Sequence, residues 1–119
     1  MTTATITPAH LKAIEALTEE SVQFQARIGH RPSAMLTAEN TTPALVTEIA
    51  RLYLKATYRR YEKAELHYCE EILDDYREMK AAYDKNPTDV LAFISPGNID
   101  IYVLEAQRNL RPRVRRSRK

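Results

Sequence analysis

The sequence predicts an all-α protein, and three observations carry that prediction. Only 2 of the 119 residues are glycine, too few for a sheet-rich chain with many tight turns or for a phosphate-cradling loop. Leu11, Ile14, Leu17, Phe24 and Ile28 recur at helical spacing, and the 43 residues from Ala44 to Asn86 contain neither glycine nor proline. The expected architecture is an amphipathic first helix, one very long second helix and one or two short C-terminal helices ahead of a basic tail. We expect a single helical domain over 1–110 and a tail over 111–119.

The first helix begins at Thr7-Pro8, where threonine serves as N-cap and proline occupies a position whose N–H has no intrahelical acceptor. Its apolar face passes through Ser21, with Glu15, Glu19 and Gln23 on other faces. Gly29 is placed to end it in the left-handed conformation. A connector follows from His30 to Thr42, in which Ala34, Met35 and Leu36 can form one turn that tucks into the core.

Thr42-Pro43 repeats the start signal and Asn86-Pro87 supplies a stop. Between them the apolar face changes sides. Leu45, Ile49, Leu52 and Ala56 point one way around the helix, whereas Tyr61, Tyr68, Ile72, Tyr76, Met79 and Tyr83 point almost the opposite way. A helix buries each apolar stripe against something, so two stripes imply two packing partners. As one rod the segment is roughly 64 Å long, against a diameter of roughly 35 Å for a compact chain of this size. Either it bends near 57–60, or its distal half pairs with a second copy. Arg59, Arg60, Glu62 and Lys63 all propagate helix, which favours an unbroken rod and a homodimer through the six distal residues.

Beyond Pro87, Val90–Ile94 and Ile99–Leu104 flank Ser95-Pro96-Gly97-Asn98. A short helix followed by a second one, capped by Asn98 and running to about Leu110, competes with a β-hairpin over 90–104. The spacing of Ile99, Ala106 and Leu110 and the run Leu104 to Arg108 favour helix.

The net charge of +2 hides an asymmetry. Arg108 to Lys119 hold 7 of the 18 basic groups and no acid, leaving a net of −5 on the other 107 residues. No stretch approaches the roughly 18 apolar residues of a membrane span, and the N-terminus reads as lacking a signal peptide. The single cysteine, Cys69, rules out an internal disulfide and suits a reducing compartment. The expected location is the cytoplasm, with no membrane contact.

No catalytic, cofactor or metal site is expected, and the chain is read as a non-enzyme. His67 and Glu71 share a helical face, but Cys69 lies about 200° around from His67. The acids Glu70, Glu71, Asp74, Asp75 and Glu78 read as a solvated face paired with Arg77 and Lys80. Leu11, Ile14, Leu17 and Phe24 either complete the core or engage a partner protein. Arg111, Arg113, Arg115, Arg116 and Arg118 support an alternative, a small nucleic-acid-associated protein whose tail holds phosphate, although no aromatics are interleaved for base stacking.

In size, an amphipathic first helix (Leu11 to Ile28), a long second helix (Ala44 to Lys85) and self-association, the chain resembles the small helical anti-activators of LuxR-type quorum-sensing regulators (QslA-like). The residues lead us to expect a homodimeric, non-catalytic module that binds another protein; the resemblance implies that it sequesters a transcription factor by occupying its dimerisation or DNA-binding surface.

Overall fold

Two Thr-Pro pairs open the two longest helices in the computed structural model, which describes residues 4–29 and 36–111. α1 spans Pro8–Arg27 and α2 spans Pro43–His67, capped by the side chains of Thr7 and Thr42. α3 follows at Glu70–Lys85, then a 3-10 helix at Pro87–Phe93, then α4 at Pro96–Leu110. The fold is all-α, with no strand among the described residues, so the hairpin alternative over 90–104 gives way to the 3-10 helix and α4. Gly29 adopts φ 83° just beyond α1, as its position predicts.

The expected single rod from Ala44 to Asn86 is not formed, and the break is not at 57–60. The chain reverses at Tyr68, which takes a left-handed conformation with φ 57° and ψ 42°. The Cys69 N–H reaches back to Ala64 O at 2.9 Å and the Tyr68 N–H to Glu65 O at 3.4 Å. This is the Schellman pattern, with tyrosine where glycine is usual. A left-handed aromatic residue costs about 1–2 kcal/mol, which the packing of α3 along α2 offsets. Ala64 and Met79 are buried, Ile72, Tyr76 and Tyr83 are half-buried, and the rings of Tyr58, Tyr61 and Tyr76 cluster with centroids 4.7–5.8 Å apart. The second apolar stripe therefore has its partner within the same chain.

α4 runs antiparallel to both α1 and α2. Gly97 meets Phe24, Asn109 donates to Glu48 at 2.9 Å, and Tyr102 sets its ring edge-on to Tyr53 at 5.1 Å. The main core lies where these three helices and the 3-10 helix converge, with Ile14, Val46, Ile49, Leu91, Ile99 and Val103 at its centre. Leu36 from the connector is buried in it, while Ala34 and Met35 lie outside the described residues. A smaller cluster of Ala50, Met79 and Val90 sits under α3. The overall extents are 48 × 42 × 32 Å. No helix among the described residues is long and apolar enough to cross a membrane.

α4 begins earlier than expected. Ser95, not Asn98, is its N-cap. Asn98 lies inside the first turn, where its side-chain amide donates to Ser95 Oγ at 3.0 Å. Pro96 fits that first turn because its φ is already helical.

Candidate functional site

The first residues of α1 are tied to the 3-10 helix by one side chain. Thr7 Oγ1 accepts from the His10 N–H, and His10 Nδ1 accepts from the Thr7 N–H, both at 3.2 Å, a reciprocal cap of the kind that fixes a helix start. With Nδ1 accepting, the neutral ring carries its proton on Nε2, which lies 3.1 Å from Asp89 Oδ1.

The other wall is held from below. Asn86 Oδ1 accepts from the N–H groups of Thr88 and Thr5, at 3.2 and 3.0 Å. Its amide donates to Thr5 O at 3.1 Å, and Thr88 Oγ1 donates to the same carbonyl at 3.0 Å. The extended residues before α1 thus anchor the turn between α3 and the 3-10 helix.

Beyond the His10–Asp89 contact the two elements leave a groove of about 520 Å³. Its floor is Ile14, Leu17, Leu91 and Ile94. Its sides are Ala13 and Ala16 on α1 and Ala92 opposite, all exposed. These methyl side chains are too short to meet across the gap, which keeps the groove open. Asp89 stands at one end and Glu20 at the other. Past Glu20 a more polar hollow of about 430 Å³ continues between Phe24 and the start of α4. Gly97 lets α4 approach closely there, since a Cβ would sit 2.9 Å from the edge of the Phe24 ring and the partly exposed ring would have to shift.

The perturbed titrating groups lie outside the groove. The Arg51 guanidinium, hydrogen-bonded at 2.6 and 2.9 Å, holds Glu48 below the usual carboxylate range against an opposing effect of burial, with Asn109 assisting. Burial raises the Asp100 carboxyl; the neighbouring Ser21 hydroxyl favours its charged form without a hydrogen bond of standard geometry. Burial also raises Tyr53 and Tyr102, and the Tyr53 hydroxyl donates to Phe93 O at 3.1 Å. These groups are dispersed among helix contacts rather than facing one cavity. Among the described residues no group of three His, Cys, Asp or Glu side chains is placed to hold a metal ion.

Of the partner-binding residues expected from sequence, Ile14 and Leu17 line the groove and Phe24 borders the adjoining hollow. Leu11 is half-buried and lines neither. Of the six expected at a dimer interface, Tyr61, Ile72, Tyr76, Met79 and Tyr83 face the α2–α3 seam or the cluster beneath it, while Tyr68 is 86% exposed at the turn. The overlong-rod argument for that interface falls with the rod. Arg111 is exposed at the end of α4; Arg113, Arg115, Arg116 and Arg118 lie outside the described residues. Sequence reasoning missed His10, Asp89 and the three alanines, whose only signal is the small-residue spacing of Ala13 and Ala16 beside Leu17.

No family model, curated protein or solved structure matches this chain.

Proposed function

We propose that this chain is a non-catalytic protein-interaction module that takes a helical segment of a partner into the groove between α1 and the 3-10 helix. The observation that carries this reading is the groove itself: about 520 Å³, with an apolar floor, alanine sides and a carboxylate at each end. An amphipathic helix lays an apolar face into such a groove. Asp89 and Glu20 favour an occupant whose apolar face is flanked by lysine or arginine, and the net charge of −5 over residues 1–107 steers basic partners towards it. The resemblance to anti-activators of LuxR-type regulators makes a cytoplasmic transcription factor, held away from its own dimer or DNA, the natural occupant.

Ala16→Arg and Ala92→Arg fill the groove from exposed positions without touching the buried floor. Tagged full-length protein is recovered from its native host and the co-purifying proteins are quantified. A partner bound by the wild type falls at least tenfold with either variant at unchanged helical content. Equal recovery by wild type and both variants overturns the reading. A small apolar molecule retained in native mass spectrometry assigns the groove to a ligand instead.

A further inference from the structure

The turn at Tyr68 is a poor place for a helix to end. Its left-handed backbone suits glycine, its ring is 86% exposed, and the adjacent Leu66 is 77% exposed. The neighbouring Cys69 gives α3 no side-chain cap. What joins α3 to α2 lies further along, at Tyr58, Tyr61, Tyr76 and Met79.

Read as one helix, Tyr61, Ala64, Tyr68, Ile72, Tyr76, Met79 and Tyr83 follow at steps of three and four, a single continuous stripe. All but Tyr68 are buried or half-buried in the hairpin. Tyr68 is therefore in phase with the seam by sequence and expelled from it by the turn.

We propose that the turn at Tyr68 is a hinge, and that two copies of this chain exchange α3, the 3-10 helix and α4 to form a homodimer. In that form residues 43–85 run as one helix, and two such helices lie antiparallel about a two-fold axis at residue 68. Each α3 packs on the α2 of the other copy with the contacts the hairpin already makes. The left-handed residue becomes helical, and Leu66 and Tyr68 are covered by their own counterparts near the axis. A short, strained hinge with an otherwise unchanged interface is the condition under which exchange is cheapest. Each groove then takes α1 from one copy and its 3-10 helix from the other. The exchange stands apart from the function of that groove.

The test refolds the full chain from denaturant at high micromolar concentration and measures mass by light scattering. Wild type yields a dimer fraction, and Tyr68→Gly lowers the dimer-to-monomer ratio by about tenfold or more, since strain is relieved in the hairpin at both hinges. Arg60 and Asp75 line one hollow across the seam from exposed positions. With Cys69→Ser, the pair Arg60→Cys and Asp75→Cys is joined by a short bismaleimide. The dimer fraction then runs as two linked chains on a denaturing gel and the monomer fraction as one. A wild type that stays monomeric throughout, or a dimer whose link remains within one chain, overturns the proposal.

Discussion

Tyr61 on α2 and Tyr76 on α3 hold their ring centroids 4.7 Å apart with planes inclined by 32°. The hairpin reverses at Tyr68, so this contact is made well away from the turn it stabilises. Aromatic pairs of this kind contribute about 0.5–1.5 kcal/mol beyond the area they bury. A double-mutant cycle with Tyr61→Leu and Tyr76→Leu yields a coupling energy in that range by urea denaturation. A coupling near zero contradicts the seam.

Thr18 is 6% exposed and its hydroxyl has no hydrogen-bond partner. A buried hydroxyl without a partner carries a desolvation penalty of roughly 1–3 kcal/mol. Thr18→Val keeps the branched shape and removes the polar atom. It raises stability by about 1 kcal/mol, seen as a higher midpoint in thermal denaturation. Thr18→Ser keeps the hydroxyl, loses a methyl group and lowers the midpoint.

Glu48 and Asp100 drive the acid dependence of stability in opposite directions. The folded state lowers the Glu48 carboxyl, chiefly through Arg51, so Glu48 stabilises the fold above the ordinary carboxylate range and loses that contribution as pH falls through its lowered folded value. Burial raises Asp100, so its charged form opposes folding once pH exceeds its raised folded value, and the penalty disappears in acid. At neutral pH, Glu48→Gln destabilises and Asp100→Asn stabilises. Both changes are modest because solvent screens these partly exposed groups, and both fade on acidification, as urea titrations from neutral pH into strong acid measure.

The basic tail separates the two functional readings considered for this sequence. Deleting residues 111–119 leaves the melting transition and partner capture unchanged if the groove is the working surface. Under the nucleic-acid alternative, the deletion abolishes salt-sensitive retention of DNA or RNA, which filter binding at two salt concentrations measures.

Much of the fold was legible because its signals are local. Thr7-Pro8 and Thr42-Pro43 start helices through their own side chains and rings, and Asn86-Pro87 ends one for the same reason. The two opposed stripes demanded two packing surfaces for the segment 44–86, and the second is met by α3 folding back on α2 rather than by the expected second copy of a single rod. The identity of the second partner was not legible. The reversal uses tyrosine where glycine would have marked it, and the stabilising packing joins residues fifteen apart, as Tyr61 and Tyr76 are. The acids Glu70 and Glu71, now in the first turn of α3, were a weak trace of a helix start. The groove was less legible still. Ile14 and Leu17 fit the pattern of a core stripe equally well, and only the placement of Ala92 and Asp89 opposite them opens a groove along that face.

The most direct test of the functional account is site-specific photo-crosslinking in the native host, with p-benzoylphenylalanine in place of Ala16 and, as a control, of the exposed Glu62 on the hairpin arm. The account predicts that the Ala16 probe joins one partner through a helical segment with an apolar face and flanking lysine or arginine, and that the Glu62 probe does not. Crosslinking of that segment equally from both positions, or no protein adduct at Ala16, contradicts it.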